Sequence, residues 1–152
     1  MRVVFVRHGA RRSTEADPAL TSAGHQMAAE TGDWLLSHRI VARRCLVTPT
    51  LRTRQTAEGL LGRLPELRAE LVPFLPESRD DWDALVAQER PLVGDHGVLL
   101  AVGHHPTLAF LLRCFGPAPV SVPLDHFATA LVLDPIFTGS WAISAAWPGR
   151  TG

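Results

Sequence analysis

Short apolar runs alternate with longer amphipathic segments along most of the chain. The runs are rich in β-branched residues and indicate buried strands, whereas the segments repeat apolar residues at helical spacing and indicate helices. The predicted strands cover residues 3–6, 45–48, 69–72, 97–103, 128–133 and 140–146. The predicted helices run from a cap at Thr21 to about 38, from 51 to 64, from 79 to 90 and onward from Pro106. This alternation predicts an α/β fold, a three-layer α/β/α sandwich with a mostly parallel central sheet.

The end of the chain and its length complete the predicted architecture. Pro135 and Gly139 lie between the last two strands, which are therefore predicted to form a hairpin at one edge of the sheet. The length suits one hydrophobic core, so residues 1–152 are predicted to be a single domain.

Composition excludes several classes of protein. Basic and acidic residues number 15 each, and this zero net charge argues against a general affinity for nucleic acid or a membrane surface. No apolar run approaches the roughly 18 residues of a membrane span, and Met1 leads directly into the first strand without a signal peptide. Cys45 and Cys114 have apolar neighbours and are predicted to be buried free thiols. We therefore expect a cytoplasmic protein.

Arginine and histidine residues follow three of the predicted strands. Arg7-His8-Gly9 closes the first strand, Arg52 lies in the helix after the second, and His104 follows the strand that ends at Gly103. The carboxyl ends of parallel strands meet at one sheet edge, where such folds bind ligands. Arginine offers phosphate a planar set of donors, and histidine can act as a nucleophile or a proton carrier. The sequence therefore predicts a phosphoryl site in which a histidine can be the nucleophile.

Three segments together resemble the histidine phosphatase superfamily, which has the phosphoglycerate mutase-like fold. They are Arg7-His8-Gly9, the stretch from Thr48 to Ala57, and Gly103-His104-His105-Pro106, and the stretch from Asp17 to Gly24 also resembles the family's segment before its first helix. The length and the lack of inserts make the chain similar to the small SixA-type phosphohistidine phosphatases.

The resemblance implies a role for each matching side chain. His8 would be the nucleophile that becomes phosphohistidine, and its other ring nitrogen should then be held by an acceptor. Arg7 and Arg52 would clamp the phosphoryl oxygens, and the match selects Arg52 rather than Arg54. His104 would donate to the same oxygens, and a bound phosphate dianion should favour its charged form.

The expected site also includes two backbone positions, and it is expected to work without a cofactor. Gly9 and the backbone of His105 are expected to contact the phosphate. Because four side chains can already stabilise the charge on the transferred group, we expect neither a metal ion nor a cofactor.

The general acid stays open between several residues. In many relatives a glutamate protonates the leaving oxygen, and Glu77 lies in about the right region, followed closely by Asp80 and Asp81. Small SixA-type members do not depend on a clear glutamate here, since an imidazole leaving group needs less protonation than an alkoxide. The acid is therefore Glu77, Asp80, Asp81 or none, which favours phosphohistidine as the substrate.

The implied activity is that of a metal-independent phosphatase with a phosphohistidine intermediate on His8. Its expected substrate is a phosphohistidine in a signalling protein. The alternatives are a general phosphomonoesterase for sugar or nucleotide phosphates, a mutase, and a phospho-binding module without turnover. A mutase would need a lid that keeps water from its intermediate, which makes it the weakest alternative. The expected partner is thus a phosphorylated protein or a small phosphoester, and neither a nucleic acid nor a membrane.

Overall fold

The computed structural model describes residues 1–13, 16–62, 67–137 and 139–152. The strands are Arg2–Arg7 (β1), Arg44–Val47 (β2), Ala69–Leu71 (β3), Val98–Gly103 (β4), Ala130–Phe137 (β5) and Ser140–Trp147 (β6). The helices are Ser22–Ser37 (α1), Leu51–Leu61 (α2), Arg79–Val93 (α3) and His105–Phe115 (α4). Every predicted strand and helix is present, and the α/β fold is confirmed. The predicted end of α2 near residue 64 falls within 63–66, outside the described residues.

The strands form one mixed sheet in the order β3-β2-β4-β1-β5-β6. The pairs of β1 with β4, β2 with β4 and β2 with β3 are parallel, whereas β5 pairs antiparallel with β1 and with β6. The last two strands therefore form the predicted hairpin, with β6 at the sheet edge.

Hydrophobic cores lie on both faces of this sheet. Val3 and Phe5 of β1 belong to a core that α3 and α4 cover, whereas Val4 and Val6 belong to a second core that includes residues of α1 and α2. Successive side chains of a strand point to opposite faces, so one strand supplies both cores. This arrangement confirms the three-layer sandwich.

The register of the central strands brings the predicted site segments together. Arg7 at the end of β1 lies opposite Gly103 at the end of β4. The pairing continues one residue further, because the His8 N–H donates to the Gly103 carbonyl at 3.0 Å. On the other side of β4, Val47 of β2 lies opposite Val102. The residues after these three strands therefore share one edge of the sheet.

Three local predictions are corrected. Pro135 lies within β5 rather than in the turn, because β1 pairs only as far as Leu133 and the ladder to β6 is irregular after Pro135. Helix α3 continues through Pro91 to Val93 instead of ending near residue 90. Cys114 is exposed, because α4 buries Leu111, Phe115 and their neighbours on the face turned to the sheet.

A buried ion pair ties α3 to the sheet. The Glu89 side chain is 1% exposed, and the Nε of Arg44 donates to its carboxylate at 2.6 Å. The two terminal nitrogens of Arg44 also donate to the two oxygens of Glu70, each at 2.8 Å. Arg44 thus connects α3, β2 and β3.

Replacing Arg44 with alanine would leave the Glu89 carboxylate buried without its cation. We expect the free energy of unfolding to fall by about 3–5 kcal/mol, as when one partner of a buried pair is removed. Urea denaturation measures this change. The control is Arg150→Ala, which removes an exposed pair with Glu30 and should cost less than about 1 kcal/mol. A loss no larger than that of the control would contradict the role given to Arg44.

Candidate active site

His8 lies directly after β1 and is 4% exposed. Its Nδ1 lies 2.8 Å from the carbonyl oxygen of Gly9. Because a carbonyl can only accept, Nδ1 carries the proton and Nε2 has a free electron pair. The Gly9 peptide is itself held in place, since its N–H donates to the Thr56 hydroxyl of α2 at 3.0 Å. The acceptor expected for the second nitrogen of His8 is therefore the Gly9 carbonyl.

The surroundings of His8 keep its ring neutral. Burial lowers the pKa of His8 to about 3, and the Gly9 carbonyl opposes this shift only in part. The positive charges of Arg52 and Arg7 and the ring of His104 lower the pKa of His8 further. A neutral ring with an unprotonated Nε2 is the form that can attack an electrophile.

Arg7, the last residue of β1, is fixed on one side of its guanidinium group. Nη1 donates to the carbonyls of Leu124 and His126 at 2.8 and 2.7 Å. The guanidinium carbon lies 4.4 Å from the ring centroid of Phe127. The Nε is buried and has no partner among the described residues. Arg7 is thus held in place by backbone and aromatic contacts.

Arg52 lies in the first turn of α2 and also has a buried Nε without a partner among the described residues. Its Nη2 lies 3.4 Å from the Nδ1 of His104, and its Nη1 lies 3.9 Å from a carboxylate oxygen of Asp17. Burial lowers the pKa of both Arg7 and Arg52, and the nearby charge of Arg11 adds to this effect. The site is therefore electropositive and suited to an anion.

His104 occupies the N-cap position of α4. Its Nε2 lies 2.9 Å from the Thr48 hydroxyl, and its ring centroid lies 5.5 Å from that of His8. Burial lowers the pKa of His104, and the charges of Arg52 and Arg7 lower it further. The structure thus places His8, Arg7, Arg52 and His104 together, as the sequence predicts.

Gly9 contributes close packing and a carbonyl group to the site. Its N–H donates to the Thr56 hydroxyl. A Cβ at Gly9 would lie 2.5 Å from the carbonyl oxygen of Gly24, so glycine is required where this loop meets α1. The contact of Gly9 with a phosphate stays a prediction.

Other predicted residues lie around this centre. His105 is the first residue of α4, where a backbone N–H has no acceptor within the helix. Its contact with phosphate stays a prediction. Arg54 is exposed on α2, in contrast to the half-buried Arg52.

The candidate acids are exposed. Glu77 lies in the segment between β3 and α3, and Asp80 and Asp81 lie in the first turn of α3. Leu75, two residues before Glu77, packs so closely on Gly103 that a Cβ there would lie 2.7 Å from its Cδ1. The segment that carries Glu77 therefore runs beside the site, and the choice of acid stays a prediction.

Three supporting residues were not singled out from the sequence. Thr48 and Thr56 hold His104 and the Gly9 peptide, and Asp17 accepts the backbone N–H of Leu51 at 3.0 Å. All three lie within the matching segments, but nothing in the spacing shows where a hydroxyl or a carboxylate will find its partner.

The described residues contain no group of three or more His, Cys, Asp or Glu side chains placed to hold a metal ion. In the same part of the chain, no helix is both long enough and apolar enough to cross a membrane.

The sequence matches a family model over more than half of the chain. The model is that of the histidine phosphatase superfamily (branch 1), and it covers residues 3–92. The chain therefore belongs to the histidine phosphatase superfamily, and it is a hydrolase of that class.

Similar solved structures share the fold across almost the entire chain. The protein histidine phosphatase SixA, solved with tungstate, is 22% identical, covers 96% of each chain and superposes with a TM-score of 0.75. A mycobacterial glucosyl-3-phosphoglycerate phosphatase is 17% identical over 98% of this chain and 99% of its own, with a TM-score of 0.67. A phosphoserine phosphatase from Entamoeba histolytica is 11% identical over 95% of each chain, with a TM-score of 0.66. No curated protein matches the sequence significantly.

The neutral state of His8 predicts a loss of stability in acid. The unfolded chain protonates His8 near the usual pKa of 6.5 and the folded chain only near 3, so the unfolded chain binds more protons between these values. The free energy of unfolding should fall as the pH decreases through this window, by up to about 1.4 kcal/mol per pH unit from this group.

Urea denaturation at about pH 7, 6 and 5 tests this expectation against His8→Asn. The asparagine amide can donate to the Gly9 carbonyl but does not titrate, so the variant should show the smaller pH dependence. Equal pH dependence of the two proteins would contradict a depressed His8 pKa.

Proposed function

We propose that this protein is a phosphatase that works through a phosphohistidine intermediate on His8, without a metal ion. The observation that carries the proposal is a pair of arginines, Arg7 and Arg52, whose charges act on His8 and whose buried Nε donors have no partner among the described residues. A buried N–H without a partner is costly, and a phosphoryl oxygen would satisfy it. The Gly9 carbonyl leaves Nε2 of His8 as the attacking atom.

The reaction has two displacements at phosphorus. In the first, Nε2 of His8 forms a bond to phosphorus while the bond to the leaving group breaks, and the leaving group takes up a proton. In the second, water attacks the phosphohistidine, which releases inorganic phosphate and restores neutral His8. Arg7, Arg52 and His104, with the N–H of His105, stabilise the charge on the equatorial oxygens in both steps.

The proposed substrate is a phosphohistidine in a signalling protein. The structure named protein histidine phosphatase SixA, which shares the fold over 96% of the chain, supports this choice. The exposed position of Glu77 also supports it, since an imidazole leaving group needs little help from an acid. Cys45 and Cys114 are free thiols, which supports a reducing, cytoplasmic location.

A small phosphoester is the second candidate substrate. The structures named glucosyl-3-phosphoglycerate phosphatase and phosphoserine phosphatase have the same fold as this chain. The carboxyl group of Glu77, which lies on the segment beside the site, would in its protonated form supply a proton to the alkoxide that such substrates release. The two candidates therefore differ in their need for an acid.

Removing the nucleophile should abolish turnover. We expect His8→Ala to slow phosphate release by a factor of about 10³ or more, as loss of a nucleophile does in other covalent enzymes. The assay compares a phosphohistidine-bearing protein with simple phosphomonoesters in EDTA. Faster release from the first substrate would support a protein substrate. Release that persists in His8→Ala would contradict the mechanism, and release that EDTA stops would contradict its independence from metal.

Two arginines on the same helix provide a matched pair of variants. Arg52→Ala removes a guanidinium that the proposal assigns to the phosphoryl oxygens and should slow the reaction by about 10²–10³. Arg54→Ala removes an exposed arginine two residues further along α2 and should leave the rate unchanged. Equal losses in both variants would show that the charge of the helix, rather than the position of Arg52, controls the rate.

The role of Glu77 is tested by Glu77→Gln on both substrate types. If Glu77 is the acid, hydrolysis of phosphoesters should fall by about 10²–10⁴, whereas hydrolysis of phosphohistidine should change much less. Asp80→Asn and Asp81→Asn are the controls. Unchanged rates for Glu77→Gln on every substrate would remove Glu77 from the mechanism.

A further inference from the structure

A series of buried, hydrogen-bonded hydroxyl groups leads away from His104. The Nε2 of His104 lies 2.9 Å from the Thr48 hydroxyl, which lies 3.1 Å from the Thr53 hydroxyl. The Thr53 hydroxyl lies 2.7 Å from the Thr48 carbonyl and 3.0 Å from the Thr50 carbonyl. Thr48 and Thr53 are almost fully buried. This series of hydrogen bonds thus ends at backbone carbonyls of the turn between β2 and α2.

The guanidinium group of Arg52 fixes the direction of these hydrogen bonds. Arginine only donates, so Nδ1 of His104, which lies 3.4 Å from the Nη2 of Arg52, is unprotonated in the neutral ring. The proton is then on Nε2, which donates to the Thr48 hydroxyl, and Thr48 donates to the Thr53 hydroxyl. Thr53 donates in turn to a carbonyl of the turn between β2 and α2.

We infer that Thr48 is a positioning residue that holds the Nε2–H group of His104. When a phosphoryl group binds and His104 gains a proton, this contact places the new proton on Nδ1. The inference rests on the proposed function, because the phosphoryl group is the anion that would draw in this proton. With Nε2 engaged by Thr48, Nδ1 is the one ring nitrogen that can donate to a phosphoryl oxygen. Nδ1 of His104 is thus a donor only when an anion is present, whereas Nε2 donates to Thr48 in both states.

The charges around His104 explain why its ring gains a proton when a phosphoryl group binds. Arg52 on α2 and Arg7 on β1 both disfavour the cationic ring while the site holds no anion. The neutral ring of His8, on the loop after β1, adds no charge. A phosphate dianion between the two arginines would offset their charge and favour protonation of Nδ1. The hydroxyl of Thr48 does not titrate, so it holds Nε2–H in both states.

Nitrogen NMR of His104 tests the inference directly. We expect the ring of the wild-type protein to be protonated on Nε2 alone near neutral pH, and inorganic phosphate to bring about protonation of Nδ1. Thr48→Val should raise the phosphate concentration needed for this change roughly tenfold and slow phosphate release by a similar factor, since a buried N–H loses its acceptor. Thr48→Ser, which keeps the hydroxyl, should restore both.

The control is Thr31→Val, which removes a buried hydroxyl of α1 that donates to the carbonyls of Met27 and Ala128. It should leave the His104 signals unchanged. A neutral wild-type ring protonated on Nδ1 would overturn the inference even if Thr48→Val did not fold. A folded Thr48→Val with an unchanged phosphate response would also overturn it. Because the NMR readout needs no turnover, a protein without phosphatase activity would contradict the proposed function and not this inference.

Discussion

The parallel pairing of β1 with β4 is the constraint on which the site depends. Arg7 lies opposite Gly103, and the His8 N–H donates to the Gly103 carbonyl. This register places two histidines, 96 positions apart in the sequence, with ring centroids 5.5 Å apart. A shift of one residue in the register would turn one of the two strands' side chains to the opposite face. The buried valines and leucines that hold the register therefore also hold the chemistry.

The second feature of the site is its cluster of positive charges, which is unfavourable because the charges are buried. Two arginines, whose Nε atoms have no partner in the described part of the chain, flank a histidine whose pKa burial lowers to about 3. Such a cluster costs free energy in the folded protein, and an anion would offset that cost. The backbone relieves part of it, since carbonyl groups of residues 124 and 126 accept from Arg7. The same carbonyl contacts orient the guanidinium in advance, which is what stabilisation of a transition state requires.

The sequence predicted the elements and the four central side chains, because apolar periodicity and strand-end motifs are local signals. It did not predict which groups of the protein hold those side chains in place. The sequence did not show that the Gly9 N–H is donated to Thr56, a partner 47 positions away. Cys114 was misplaced because an apolar neighbourhood in the sequence does not show which side of a helix faces the core. The acid stays undecided for a similar reason, since the reach of exposed Glu77 depends on the bound substrate.

The central claim is that Nε2 of His8 becomes covalently phosphorylated. The most direct measurement is phosphorus and nitrogen NMR of the denatured protein after brief reaction with a phosphohistidine-bearing protein and a rapid quench in alkali. The account predicts one acid-labile phosphoryl group, bonded to Nε2 of His8 and missing in His8→Ala. Phosphorus on Nδ1 of His8, on His104, or on no residue while phosphate is being released would contradict the account.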